Sequence, residues 1–140
     1  MMKLLKYTLT SLILLSFTAI ASAEVAVIVG KSSGFSKLDA DDVVKIFLGK
    51  KKDIGGTPVL PVDQSEGTGA RNDFYSNVVK KSESQLKSYW SRLIFTGKGQ
   101  APQVVGGDSD VVSMVATNPN LIGYVDAAAV SGDVIVIFKQ

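Results

Sequence analysis

Pro58-Val59-Leu60-Pro61-Val62, then Asp63-Gln64-Ser65-Glu66-Gly67-Thr68-Gly69, then Ala70 to Val79: these three consecutive pieces decide how the chain is read. The first is a short apolar run bounded by turn formers, as a strand should be. The glycines of the second break any regular period. The third, from about Ala70 to Val79, reads as a helix. A strand that gives way to a glycine-bearing loop and then a helix is the building unit of a layered α/β domain, and ligands bind such sheets beyond the carboxyl ends of the strands.

Upstream, Val25 to Val29 is a continuous valine-rich run, the pattern of a buried strand, and it ends at Gly30-Lys31-Ser32-Ser33-Gly34. A helix opens at Leu38-Asp39 with Asp39 as its N-cap and Asp41 and Asp42 in its first turn. Val43, Val44, Ile46, Phe47 and Leu48 supply its buried face, and Gly49 stops it. Lys50-Lys51-Lys52 then places positive charge where a helix C-terminus favours it, so the triplet reads as a solvated helix end. Gly55-Gly56 marks a turn.

Downstream, Ser82-Glu83-Ser84-Gln85 signals a second capped helix, with Leu86, Tyr89, Trp90, Leu93 and Ile94 along one face. Gly97 to Gly107 reads as a loop, after which Asp108 or Ser109 caps a helix carrying Val111, Val112, Met114 and Val115 and ending at Asn118-Pro119-Asn120. Leu121 to Val125 and Val134 to Phe138 close the chain as strands. The order predicts one α/β unit, a mostly parallel sheet flanked by helices.

The chain has 140 residues, 46% hydrophobic and 20% charged, the balance of a folded domain. It contains neither Cys nor His, which excludes disulfides, thiolate nucleophiles and the commonest general base and metal ligand. No nucleophile-and-base arrangement is visible, so no enzyme and no cofactor are expected. Lys3 and Lys6 precede an apolar stretch from Leu9 to Ile20 and then Ala21-Ser22-Ala23, which reads as a secretory signal peptide over residues 1–23, too short to span a bilayer. No Cys follows it to carry a lipid anchor. Without that segment the 15 basic residues lose two and balance the 13 acidic ones, so no global field favours nucleic acid or a membrane surface.

The loop Gln64 to Arg71 is where chemistry is expected. Free amides between Gly67 and Ala70, at the first turn of the following helix, point outward and attract oxyanions. Ser65 and Thr68 could add hydroxyl donors, and Arg71 could pair with two ligand oxygens. A cation in the first helical turn opposes the macrodipole, so Arg71 calls for something negative nearby. The competing reading has Thr68 merely capping the helix and Arg71 paired with Glu66, Asp63 or Asp73. Glu66 would repel an anion if it pointed inward.

Other motifs are weaker. Gly30-Lys31-Ser32 lacks the first glycine of a phosphate-binding P-loop, since position 25 is Val. Asp39, Asp41 and Asp42 lack the spacing of a calcium loop and are explained by capping. Tyr89, Trp90 and Phe95 could form a stacking surface, but their spacing fits burial against the sheet better.

Three ordered blocks carry a family resemblance: Ile46-Phe47-Leu48-Gly49-Lys50; Pro61-Val62 leading into Ser65-Glu66-Gly67-Thr68-Gly69-Ala70-Arg71 with Phe74 after it; and Asn118-Pro119 before Ile122-Gly123-Tyr124-Val125. From about Val25 to Phe138 the chain resembles the substrate-binding proteins of phosphate ABC transporters, of the PBP-like superfamily. That family's central block commonly reads Arg-Ser-x-Gly-Ser-Gly-Thr-Arg, and its first Arg, second Ser, following Gly and Thr contact phosphate. Here Gln64 stands for the first Arg, Thr68 for the Ser with its hydroxyl kept, Gly69 for the Gly and Ala70 for the Thr, while Arg71 matches the closing Arg.

Family members have two lobes, and residues 24–140 suffice for one, a three-layer lobe of the type II periplasmic-binding-protein kind. The resemblance implies a non-catalytic periplasmic protein that binds phosphate or a similar oxyanion through Gln64, Ser65, Gly67, Thr68, Gly69, Ala70 and Arg71, with ABC-transporter membrane subunits as its partners. An open half-site buries less of its ligand, so a second chain completing the cleft, or an accessory module that has lost ligand binding, are the alternatives.

Overall fold

The computed structural model describes residues 24–140, and the signal-peptide expectation for residues 1–23 lies outside the described residues. The described chain runs β1 (Val25–Gly30), α1 (Ala40–Phe47), β2 (Asp53–Ile54), β3 (Thr57–Pro58), β4 (Leu60–Asp63), α2 (Gly69–Asp73), α3 (Glu83–Phe95), β5 (Gln103–Val104), α4 (Asp108–Thr117), β6 (Leu121–Asp126) and β7 (Val134–Lys139). α2 passes directly into a π-helical stretch, Phe74–Val79, and a short 3-10 turn, Ala127–Ala129, follows β6. No helix among the described residues is long and apolar enough to cross a membrane.

Five strands form one sheet in the order β5-β4-β6-β1-β7. β4 pairs parallel with both β5 and β6, whereas β1 is antiparallel to its neighbours β6 and β7. Four strands therefore point one way and β1 alone runs against them, the mostly parallel sheet expected. β1 is buried at every position because both sides of the sheet are covered. Val25, Val27 and Val29 join Ile122 and Tyr124 under α1, α3 and the helix of Gly69 to Val79. Ala26 and Ile28 face the other way, with Val62, Val111, Val115 and Val125 under α4. The period-two alternation of a strand thus serves two cores. Gly123 allows α4 to lie close: a Cβ there would stand 2.5 Å from Val111 Cγ1.

The caps match the sequence. Asp39 accepts from Asp42 N at 2.8 Å, and Ser82 and Gln85 form a reciprocal capping box. Asp41 and Asp42 pair with Lys45 and Lys51, which fits the capping explanation of the acidic cluster. Four details differ. The expected strand Pro58 to Val62 is divided: Thr57–Pro58 pairs with Asp53–Ile54 across Gly55-Gly56 as a separate hairpin, and β4 begins at Leu60. The loop from Gly97 to Gly107 contains β5, held by pairing with Val62 and Asp63 rather than by any local pattern. α4 is capped by Gly107, whose N–H donates to Asp110 Oδ2 at 3.0 Å, one residue before the expected cap. Ile94 and Phe95, expected to be buried on α3, are exposed, whereas Leu86 and Trp90 are buried.

Candidate functional site

The carboxyl ends of β4, β5 and β6 lie together, and the loop of interest leaves from the first of them. Ser65 N–H donates to Gly106 O and Val105 N–H to Asp63 O, which ties this loop to the one entering α4. Gly67, with φ +86°, turns the chain just before the helix, a conformation that suits glycine. Thr68 is extended and caps α2: its hydroxyl accepts from Arg71 N–H and donates to Ser65 O.

Below the loop sits a buried polar network. Asp63 ends β4 with its carboxylate inside the fold, where four donors meet it. Oδ1 accepts from Gln64 N–H and the Tyr124 hydroxyl, and Oδ2 accepts from Arg71 Nη1 at 3.0 Å and the Tyr75 hydroxyl at 2.7 Å. Arg71 donates further to Gln64 O at 2.8 Å and, from Nε and Nη2, to both carboxylate oxygens of Glu83 at 2.7 and 3.1 Å. The expected negative partner of Arg71 is therefore Asp63, with Glu83 as a second; Glu66 and Asp73 do not pair with it. Four of the five guanidinium N–H groups are committed within the protein.

The charges settle accordingly. Burial opposes ionised Arg71, but the Glu83 hydrogen bond and the field of Asp63 outweigh it and raise its pKa. The Arg71 hydrogen bond holds the Glu83 carboxyl below its ordinary range. Burial, reinforced by Asp63, pushes the Tyr75 and Tyr124 phenols up, so both stay neutral donors. Phe74 stacks on Tyr124 with ring centres 4.0 Å apart and anchors the phenol from the core side.

Gln64 is fully buried, and its Nε2 donates to Asp108 Oδ1 at 2.8 Å and Tyr124 O at 2.9 Å. Both partners only accept, so the amide orientation is fixed, and Oε1 has no partner among the described residues. Asp108, at the start of α4, also accepts from Asp126 N–H, so one carboxylate joins β4, β6 and α4.

The expected residues thus divide into two layers. Gln64, Ala70 and Arg71 are buried below; Ser65 and Thr68 are half-buried; Gly67 and Gly69 are exposed, and a Cβ built at either meets nothing within 4 Å. The amides of Gly69 and Ala70 donate to no group among the described residues. Glu66 turns toward α3, where it lies 3.4 Å from Lys87. Sequence reasoning missed Tyr75, Glu83 and Tyr124. The signal for the tyrosines is their placement beside core positions, since a buried phenol needs an acceptor. Among the described residues no cluster of His, Cys, Asp and Glu could hold a metal ion.

No protein-family model and no curated protein matches the chain. Solved structures do. A phosphate ABC transporter substrate-binding protein of Clostridium perfringens, with phosphate bound, superposes with a TM-score of 0.65 at 23% identity over 82% of this chain and 45% of its own. An ABC-type phosphate transport receptor of Vibrio cholerae gives 0.64 at 16% identity over 82% and 46%. PstS of Borrelia burgdorferi gives 0.53 at 14% identity over 75% and 42%. The chain spans less than half the length of the structures it matches, and over that span it shares their fold.

Proposed function

We propose that this chain is a non-catalytic periplasmic binding protein of the substrate-binding type, in which the loop Ser65 to Ala70 holds phosphate or a similar oxyanion. The observation that carries this reading is the two-layer loop: the amides of Gly69 and Ala70 have no partner among the described residues, Gly67 and Gly69 are exposed, and a polar network centred on Asp63 and Arg71 fixes the backbone beneath them. Preorganised N–H groups bind anions without having to be ordered first. Glu66 is drawn aside to Lys87, which removes the nearest repulsive charge. In this reading Ser65, Gly67, Thr68, Gly69 and the backbone amide of Ala70 form the contact layer, with the Ala70 side chain buried below it. Gln64 and Arg71 support it, with the remaining Arg71 N–H adding positive field from below. The likeness to proteins described as phosphate-binding supports the choice of ligand and of ABC-transporter membrane subunits as partners.

A second reading has an observation of its own. With Arg71 and Gln64 bound internally, an accessory envelope module that no longer binds an anion would look the same from below. Isothermal titration with phosphate and sulfate separates the two, and Gly69→Pro makes the test specific. Gly69 is the first helical residue, where proline is favoured, and Thr68 already has the extended conformation, φ −70° and ψ 144°, that a residue before proline needs. The substitution removes one amide donor and leaves the helix intact. The expected result is saturable heat for the wild type and affinity lower by about tenfold or more in the variant, the worth of one hydrogen bond to a charged group. No heat at millimolar anion, from folded protein, favours the accessory module.

A further inference from the structure

At the other end of β4 lies a groove that shares no residue with the loop. It has a volume of about 670 Å³ and runs between the end of α1, the start of β4, the last turns of α3 and the segment Gly97–Gln103. Its floor is apolar and buried: Ile46, Phe47, Val59 and Trp90. Its rim is apolar and open, with Leu60 56% and Ile94 55% exposed. Ile94 continues the Leu86–Trp90 stripe of α3 by four residues and there borders the groove instead of the core. Large apolar side chains left open around a concavity mark a contact surface rather than ordinary exterior.

The charged groups at this groove carry one sign. Lys51, Lys52 and Lys98 border it and no acidic residue does. Lys51 is 3.1 Å from Asp42, but Lys52 and Lys98 have no carboxylate within 4.0 Å among the described residues. Lys52, at the end of the lysine run after α1, is joined here by Lys98 from beyond the end of a different helix. Two ammonium groups from different segments thus stand at one groove with no carboxylate within 4.0 Å of either among the described residues, a local positive field that suits an anionic head. Lysine stems can lie along the apolar rim while their heads reach forward.

We propose that this groove is a binding site for a small amphipathic anion, an apolar chain or ring bearing one singly charged head group. The volume lies inside the range of about 300–1,000 Å³ typical of small-molecule sites.

Trp90 is the sole tryptophan of the chain and forms part of the floor, so its emission reports occupancy directly. The protein purified from expression of the full chain is titrated with decanoate, decanol and inorganic phosphate, with far-UV circular dichroism checking that the fold persists. Decanoate is expected to change the Trp90 emission saturably below about 1 mM, an affinity within reach of a few buried methylenes and one charge pair. Decanol should bind at least about tenfold more weakly, the factor equivalent to one favourable charge contact. Lys52→Gln with Lys98→Gln should erase that difference, and Ile94→Asp should abolish both titrations without lowering the melting temperature. Phosphate should leave the emission unchanged whether or not the Gly69 loop binds it, so the two sites succeed or fail separately. The proposal is overturned by an unsaturable response, by equal affinity for decanol, by binding that survives Ile94→Asp, or by a short peptide of alternating Asp and Leu binding where decanoate does not, which would make the groove a peptide dock.

Discussion

Two cationic regions of this molecule meet opposite fates. Arg71 lies inside the fold with Asp63, Glu83 and a backbone carbonyl around it, and nearly all its hydrogen-bonding capacity is used at home. Lys52 and Lys98 stand beside an apolar groove with no carboxylate within 4.0 Å among the described residues. A positive residue next to a suspected anion site is thus informative only after its internal acceptors have been counted. Arg71 is the residue that a motif reading favours, yet its position makes it a support for the loop; the lysines look like helix-end decoration, yet they are the charges still available. The regions also differ in what they do for the fold, because a buried charge must be paired whereas an exposed one need not be.

The sharpest way to break this contrast is Asp63→Asn. The substitution removes the negative charge opposite buried Arg71 and weakens the acceptor for two buried phenols. Uncompensated buried charges typically destabilise by about 3–5 kcal/mol, and Glu83, still in place, should keep the loss near the lower end of that range. Urea unfolding followed by circular dichroism should show the midpoint fall with an unchanged slope. A loss below about 1 kcal/mol would mean that the network is only as strong as a surface pair and does not fix the loop.

Next in size is a pH effect confined to the same region. Glu83 has its carboxyl held below the ordinary value of 4.5 by Arg71, so as pH falls the unfolded chain takes up the proton first. Stability from this pair is therefore fully present above about pH 4.5 and disappears as pH drops through the lower folded value. The Glu83 side chain is 37% exposed, which screens the pair and limits its worth to about 1 kcal/mol. Tyr75 and Tyr124 act at the other extreme: their folded pKa values are raised, so stability holds below pH 10.0 and is lost as pH climbs toward the folded values. Glu83→Gln should flatten the acid limb of the urea midpoint against pH and leave the alkaline limb unchanged. An unaltered acid limb would show that other carboxylates govern it.

The distance over which partners act explains what could be read in the sequence. Asp39 and Ser82 were legible as caps because the bonds they make reach only three residues along the chain. β1 and β6 were legible because burial on both faces writes a continuous apolar run. The loop was legible as a strand-to-helix turn, and Asp63 was among the partners that spacing allowed for Arg71. Glu83 was not, since it meets Arg71 twelve residues on, across the end of one helix and the cap of the next. Tyr124 meets Asp63 across 61 residues, and no local pattern records that. β5 illustrates the same limit, since Gln103–Val104 is a strand only through its pairing with β4. The groove was hidden for the converse reason: Ile94 carries the right period for burial, and only the end of the core beneath it leaves it open.

The smallest expected effect is the one that most sharpens the contrast. If Lys52 and Lys98 serve a ligand and not the fold, Lys52→Gln and Lys98→Gln should each leave the urea midpoint within the range of ordinary surface changes, about 0.5 kcal/mol. The sign has some direction. Lys98 follows closely on the C-terminus of α3, where a cation is favourable by about 0.3–1 kcal/mol, so a slight loss is expected from that source in Lys98→Gln, and less in Lys52→Gln because Lys52 stands farther from the end of α1. Against it, removing either of two like charges at one groove relieves the same repulsion, which both single variants gain but the double variant gains only once, so the double should lose slightly more than the sum of the singles. A single variant that loses well over about 1 kcal/mol would mean that its ammonium group has a partner within the fold, and the groove lysines would then belong with Arg71 among the charges that hold the fold together.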